Sequence, residues 1–257
     1  MAHDLKDKVV VVTGGARGIG FEIANHILRK QPKVVIIVDV NEKKGVEAVE
    51  SLNSEYGSGK AVFIKCDVTK EFDSLTTKIL NTYKTVDLFV NNAGVLREQS
   101  VQLSVGVNIT ALFELTMKFF DHMRKDKGGK GGTIINISSI YGYRINPYIP
   151  IYQGTKFAVL GFSKALGHPY NYNYSGVRVL AVCPGITTTE MAGAVTTRDN
   201  EVTCEDYKRY LAAHIWQPPS SLGRGTVEVY EKAESGTAWL IEGDTAPKKV
   251  VQNFVEV

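Results

Sequence analysis

The chain of 257 residues predicts an α/β fold, a doubly wound parallel sheet with helices on both faces. Three observations predict it. Short β-branched apolar runs, Lys8 to Thr13 and Lys33 to Val38 the clearest, read as strands buried on both sides. Such runs alternate along the chain with longer stretches of helical periodicity, and that alternation with right-handed crossovers makes a parallel sheet. The first run ends in a glycine-rich turn, Thr13-Gly-Gly-Ala-Arg-Gly-Ile-Gly20, which opens directly into a helical pattern.

That helical pattern puts Ile19, Ile23, Ile27 and Leu28 on its inner face. Strand, glycine turn and helix in this order make a phosphate-binding loop. Glycine lets the backbone approach closely, and the helix N-terminus offers unpaired N–H groups and a positive dipole end to a pyrophosphate. Gly14, Gly18 and Gly20 are spaced GxxxGxG, with Arg17 and Ile19 between them. The second strand, Lys33 to Val38, ends in Asp39. An acidic residue about 20 positions after such a turn accepts bonds from the adenosine ribose hydroxyls and repels a 2′-phosphate. Asp39 therefore favours NAD over NADP. Arg17 is the counter-signal, a cation able to meet a 2′-phosphate, and Asp39 opposes it at close range. The other reading of Asp39, an N-cap for a helix over Asn41 to Tyr56, is compatible with the first.

Ala61 to Lys65 reads as a third strand followed by Cys66-Asp67-Val68, with a helix from Glu71 to Tyr83. Val86 to Val90 is a fourth, and it runs into Asn91-Asn92-Ala93-Gly94. Small and amide residues there either hold the chain beside a nucleotide or make a turn. A long helical stretch covers Val101 to Arg124, with Asn108 among Val105, Leu112 and Leu115. An amide in such a stripe is more often a satisfied core residue than a catalytic one. Thr133 to Ile137 is a buried strand that delivers two hydroxyls, Ser138 and Ser139. After a loop with Pro147 and Pro150, a helical pattern begins near Tyr152 and places Tyr152 and Lys156 on one face. A free tyrosine, with a pKa of roughly 10, is a poor base at neutral pH, and a nearby cation stabilises its phenolate. A serine hydroxyl can hold the substrate oxygen, so the chemistry is proton exchange with an alcohol or carbonyl oxygen. YxxxK alone is a weak signal, and its partners along the chain strengthen it. Val177 to Cys183 ends in Pro184-Gly185-Ile186-Thr-Thr188-Thr189, and Thr237 to Ile241 supplies the last strand. No internal repeat or linker interrupts residues 1–257, so one domain is expected. Its motifs all fall at strand C-termini, where ligands bind in such sheets.

A net charge of +3 gives no electrostatic case for nucleic acid or an anionic membrane. Cys66, Cys183 and Cys204 are scattered and odd in number, which argues against a disulfide framework or a zinc site and fits a reducing, cytoplasmic setting. Met1 to Lys8 carries no apolar signal-peptide core, and the longest apolar runs, Val9 to Val12 and Val34 to Val38, are too short to span a bilayer. No membrane insertion and no metal site are expected.

The glycine turn, Cys66-Asp67-Val68, Asn91-Asn92-Ala93-Gly94, Ser139, Tyr152-Gln-Gly-Thr-Lys156 and Pro184-Gly185 match, in order and spacing, the motifs of the short-chain dehydrogenase/reductase family. The chain resembles that family from about Lys6 to Ile241. The resemblance implies a single-domain Rossmann fold with a seven-stranded sheet in the order 3-2-1-4-5-6-7, a nicotinamide cofactor, and a catalytic set of Asn108, Ser139, Tyr152 and Lys156. Ser138 competes with Ser139, and the family's spacing of the serine thirteen residues before the tyrosine selects Ser139. The cofactor would lie with its pyrophosphate on Gly14 to Ile19, its ribose on Asp39 and its adenine near Asp67 and Val68. Asn92, Ala93 and Gly94 would line the adenosine ribose side, and Ile186, Thr188 and Thr189 the carboxamide. Lys156 would lower the tyrosine pKa and bind the nicotinamide ribose, and Asn108 would hold a water linking Lys156 to solvent.

A narrower likeness is to the fly-type insect alcohol dehydrogenases and the 15-hydroxyprostaglandin dehydrogenases. It is carried by Thr85-Val-Asp-Leu-Phe-Val-Asn-Asn-Ala-Gly, Lys127-Gly-Gly-Lys-Gly-Gly-Thr, Pro150-Ile-Tyr-Gln-Gly-Thr-Lys, His214-Ile-Trp-Gln-Pro-Pro and Gly236-Thr-Ala-Trp-Leu-Ile-Glu-Gly. The chain departs from the fly enzymes in its glycine turn and its 190–215 segment. Both groups resemble NAD-dependent oxidisers of secondary alcohols. A small-molecule alcohol or carbonyl substrate is thereby implied, with Tyr141, Tyr143, Ile145, Ile149 and a segment of about 190–216 capping a lipophilic pocket. The helices Val101–Arg124 and Ile151–Gly167 resemble the family's dimer-forming pair, so a homodimer or homotetramer is expected. The rival reading is a dinucleotide-binding sensor without chemistry, against which the intact Ser139, Tyr152 and Lys156 set speaks.

Overall fold

Valine and isoleucine, with two heavy groups on Cβ, suit a pleated surface packed on both sides, and the runs of them form the middle of one sheet. The computed structural model describes residues 3–194 and 197–251. In chain order its elements are β1 (Val9–Thr13), α1 (Gly18–Leu28), β2 (Val34–Asp39), α2 (Glu42–Tyr56), β3 (Ala61–Lys65), α3 (Phe72–Tyr83), β4 (Leu88–Asn91) and α4 (Val101–Val105). A π-helical turn (Gly106–Ala111) leads into α5 (Leu112–Met123), followed by β5 (Gly132–Ile137), α6 (Pro150–Leu166), α7 (Pro169–Ser175) and β6 (Val177–Pro184). The chain continues with α8 (Glu190–Gly193), α9 (Asn200–Ala212), α10 (Pro219–Lys232), β7 (Ala238–Ile241) and β8 (Lys248–Lys249).

All strands share one sheet in the order β3-β2-β1-β4-β5-β6-β7-β8. The first seven are parallel, in the arrangement the sequence predicts. β8 is an addition to it, a short antiparallel edge that pairs Trp239 with Lys249 and Leu240 with Lys248. Two exposed lysines carry no hydrophobic period, so no sequence pattern marks them as a strand.

Alternation along each strand divides the core. Val10, Val12, Val35 and Ile37 face α1 and α10, where Ile23, Ile27, Leu222 and Val227 meet them. Val9, Val11, Ile36 and Val38 face the other way, towards Leu75, Ile79, Phe119 and Phe120 of α3 and α5. The Phe89 and Phe119 rings lie 4.3 Å apart at 37°, a contact worth about 0.5–1.5 kcal/mol beyond the area it buries.

The helix from Val101 to Met123 corrects one expectation, because by length and composition it is apolar enough to cross a membrane, with a mean hydropathy of 1.3. Part of its apolar surface is spent inside the protein. Leu112, Leu115, Phe119 and Met123 are buried against the sheet, as expected of a core helix.

Polar residues buried under the sheet are joined in a chain. Thr13 donates to Asn91 Oδ1 (3.3 Å), Asn91 donates to Thr116 Oγ1 (3.2 Å), Thr116 to Asn136 Oδ1 (3.0 Å), and Asn136 to Ser163 Oγ (3.0 Å). It ties β1, β4 and β5 to α5 and α6. Strand order reverses between β1 and β4, and the crevice of a doubly wound sheet opens at that switch point.

Candidate active site

A cavity of about 870 Å³ runs along the strand C-termini, from Asp39 and Asp67 at one end to Tyr152 and Tyr207 at the other. At its nucleotide end the backbone dictates glycine. Gly14 has φ +62°, and a Cβ there would meet the Ala93 Cα and the Asn92 amide at 3.0 Å. A Cβ on Gly20 would collide with the Gly14 carbonyl. Arg17 caps α1 in an extended conformation without a side-chain acceptor. The first-turn N–H groups of α1 are thus left for a ligand, the arrangement that suits a pyrophosphate. A dinucleotide fits the residues present.

Asp39 Oδ2 accepts from the Ala16 N–H (3.2 Å) and Oδ1 from the Asn41 N–H (3.0 Å). The cap of α2 is Asn41, whose side chain accepts from Lys44 N–H, so Asp39 is not spent as an N-cap. Its carboxylate lines the cavity with acceptor capacity remaining for ribose hydroxyls. Arg17 pairs with Glu190 at the start of α8. Asp67 lines the same end, with the Thr69 hydroxyl holding its carboxyl below the usual range.

Thr13 organises the next wall. Its hydroxyl accepts from the Asn92 and Ala93 N–H groups (3.0 and 3.1 Å), and the Asn92 amide donates to the Thr13 and Gly14 carbonyls (3.0 and 3.1 Å). The segment Asn91-Asn92-Ala93-Gly94 is therefore more than a turn, since it is bonded directly to the glycine loop.

At the other end, β5 delivers its serines to different tasks. Ser138 donates to the Lys156 carbonyl (2.8 Å), fixing α6 to the strand. Ser139 accepts from the Tyr141 N–H (3.1 Å) and lies beside the Tyr152 phenol. Lys156 is buried, donates to the Ile137 carbonyl (2.9 Å) and sits 5.5 Å from the centre of the Tyr152 ring. Burial pushes the Tyr152 phenol up to about 12, with the Ser139 hydroxyl opposing it, and burial lowers the Lys156 ammonium to about 8. The lowering of the tyrosine by Lys156 that the family likeness implies is absent here. Desolvation disfavours phenolate and ammonium alike and is the largest cause of both shifts.

Asn108 joins two segments beside the site. Its Oδ1 accepts from the Val95 N–H (2.8 Å), and its Nδ2 donates to the Val95 carbonyl (2.8 Å) and to Thr155 Oγ1 (3.1 Å). The side chain binds the segment after β4 to α6, and it forms no part of the cavity wall. Thr188 is displaced too. It is exposed, with its N–H bonded to the Gln217 carbonyl (2.9 Å), and Thr187 lines the cavity instead. The stretch is bridged to Gln217 at Thr187, and sequence spacing does not reveal which of its side chains face inward.

The remaining predicted residues Gly18, Ile19, Val68, Gly94, Pro184, Gly185, Ile186 and Thr189 all line the cavity. Over its substrate end, Leu96, Ile140, Tyr141, Ile149, Ile186, Tyr207 and Leu211 form an apolar cluster, with Tyr148 and Tyr210 packed on it. Tyr148 and Tyr207 stack at 5.2 Å. Two residues expected to cap the pocket do not. Ile145 is 75% exposed, and Tyr143 packs with Leu160, Cys183 and Ala238. Glu98 is the residue that motif reading misses, a buried carboxylate bonded to the first turn of α6.

A family model described as short chain dehydrogenase matches residues 8–200. Alcohol dehydrogenase 2 of Ceratitis capitata is 30% identical over 247 residues, 95% of each chain. The human 15-hydroxyprostaglandin dehydrogenase [NAD(+)] is 34% identical over 206 residues, 79% of this chain and 77% of that one. L-sorbose reductase from Gluconobacter frateurii, solved with NADPH and L-sorbose, superposes with a TM-score of 0.79 at 25% identity, covering 95% of this chain and 98% of that one. The chain belongs to the short-chain dehydrogenase family, oxidoreductases that act on alcohols and carbonyls with a nicotinamide dinucleotide.

Proposed function

We propose that this protein is an NAD-dependent dehydrogenase that oxidises a lipophilic secondary alcohol to its carbonyl. The observation that carries the reading is the convergence of Ser139, Tyr152 and Lys156 on one cavity that continues to Asp39. Ser139 orients the substrate hydroxyl, and the Tyr152 phenolate takes its proton. The dinucleotide supplies the hydride acceptor. Lys156 orders the nicotinamide ribose. In the reverse direction the Tyr152 phenol returns the proton to the carbonyl oxygen.

Asp39 supports the preference for NAD, because a carboxylate at the ribose end repels a 2′-phosphate. The pairing of Arg17 with Glu190 supports it too, by occupying the cation that would meet that phosphate. The aromatic and aliphatic cluster around Tyr141, Ile149, Tyr207 and Leu211 supports a lipophilic substrate.

The test follows nicotinamide reduction with NAD and, separately, NADP across short, long-chain, steroidal and hydroxy-fatty alcohols. Turnover with NAD and a secondary alcohol is expected. Tyr152→Phe should lose at least about 10²-fold in turnover, the lower bound for a general base, while still binding NADH. Turnover with NADP alone would refute the cofactor assignment, and activity retained in Tyr152→Phe would refute the base.

A further inference from the structure

Catalytic helix α6 begins at Pro150, so its first residue has no N–H to satisfy. The Gln153 N–H bonds to the Ile149 carbonyl (2.9 Å), and Ile149 offers no side-chain cap. Two first-turn donors remain, those of Ile151 and Tyr152. Both go to one side chain 53 residues before Ile151. Glu98 Oε2 accepts from Ile151 N–H (3.0 Å) and Oε1 from Tyr152 N–H (2.7 Å).

Glu98 is 1% exposed, and no basic side chain forms an ion pair with it among the described residues. It is held by the two N–H groups and the positive end of α6, the environment a buried carboxylate requires. Neither is it part of the cavity wall. Its neighbours in the chain are. Asn92 to Arg97 line the cavity from the glycine turn onward, and this segment is bonded at Val95 to Asn108 and at the Arg97 carbonyl to Ser104 (2.8 Å). Glu98 therefore joins a nucleotide-facing segment to the backbone nitrogen of the tyrosine itself.

We propose that Glu98 is a positioning residue that sets the depth of Tyr152 in the cavity by capping the catalytic helix from outside. The proposal rests on the dehydrogenase reading given above. Tyr152 lies in the first turn, which frays when its donors lose their acceptor, whereas Lys156 lies one turn further in. Loss of the cap displaces the phenol while leaving the glycine turn and Asp39 in place.

The experiment compares Glu98→Gln and Glu98→Ala in the full chain. Turnover, NADH affinity by fluorescence titration, thermal midpoint and hydrogen exchange at the Ile151 and Tyr152 amides are measured in each. Glu98→Ala should lose roughly 10- to 100-fold in kcat, the scale of an ångström-sized misplacement. NADH affinity should be unchanged, exchange at the two amides should be faster, and Glu98→Gln, which keeps volume and one acceptor, should fall between. Unchanged kcat despite faster exchange would reduce Glu98 to a structural cap and overturn the proposal. Kcat, NADH affinity and thermal midpoint falling together would overturn it also, and if the alanine variant does not fold, the glutamine variant decides. A wild-type protein that turns over no alcohol, yet keeps slow exchange at both amides, defeats the dehydrogenase reading itself and the proposal with it.

Discussion

Lys156 carries a charge into a place that resists it. With its native value lowered to about 8 from an ordinary 10.5, the unfolded state holds the extra proton between those values, so wild-type stability rises with pH across that window. Below about 8 the penalty is fully present, roughly 3 kcal/mol less what the Ile137 bond returns. Lys156→Met, which removes the charge, should therefore raise the denaturation midpoint at pH 7 while abolishing turnover. The gain should shrink as pH climbs to 10.5. A variant less stable than wild type at pH 7 would show that partners beyond Ile137 compensate the ammonium. Such a cost at a functional residue is expected where chemistry and stability diverge.

At the scale of elements, the hydroxyl of Thr13 connects β1 to the end of β4. It accepts from two backbone N–H groups and donates to Asn91, which uses its entire capacity. Thr13→Val keeps the shape and strands both N–H groups, at about 1–3 kcal/mol each. Denaturant unfolding should show that loss, and NADH should bind more weakly because Asn92 to Gly94 shape the cavity. Undiminished NADH affinity would mean that the segment holds its place without Thr13. The helices show where sequence legibility stops. The glycine turn and the Tyr152–Lys156 pair could be read because each depends on spacing within a few residues, and Asp39 because it ends the next strand, about 20 positions on. Glu98 could not, because its partners lie 53 and 54 positions away, and a lone glutamate between Arg97 and Gln99 carries no local signature. The task of Asn108 was half legible. The apolar stripe around it marks burial, but its bonds to Val95 depend on how the chain returns after β4.

For the whole molecule, the two-sided core followed from runs of valine and isoleucine and the strand order from the family likeness, while the lysine edge strand had no pattern to betray it. The outward surface of the helices beside the site carries Val101, Met117 and Phe157, between 38% and 59% exposed, along with the stacked pair Phe113 and Phe162 at 3.9 Å. We propose that this face is buried in a homodimer or homotetramer. Sedimentation equilibrium should show a mass at least twice that of the 28.3 kDa chain, and Phe157→Glu should shift it towards the monomer. A monomeric wild type at micromolar concentration would refute the assembly.

The π turn at Gly106–Ala111 has a consequence for insertion and deletion. Its hydrogen bonds span five residues where an α-helix spans four, so it accommodates one residue more than a continuous helix would. Deleting Ile109 or Thr110 there lets the helix close as a continuous α-helix, and Leu112, Leu115 and Phe119 keep their facing. Deleting a residue early in α5 instead swings everything beyond by about 100°, one residue's rotation, and Leu115 and Phe119 leave the sheet together. By contrast, a Cβ at Gly59 in the turn before β3 meets nothing, and turns of that kind absorb length changes. In a library of single-residue deletions selected for folding, losses around Gly59 and at Ile109 or Thr110 should survive, and losses early in α5 should vanish.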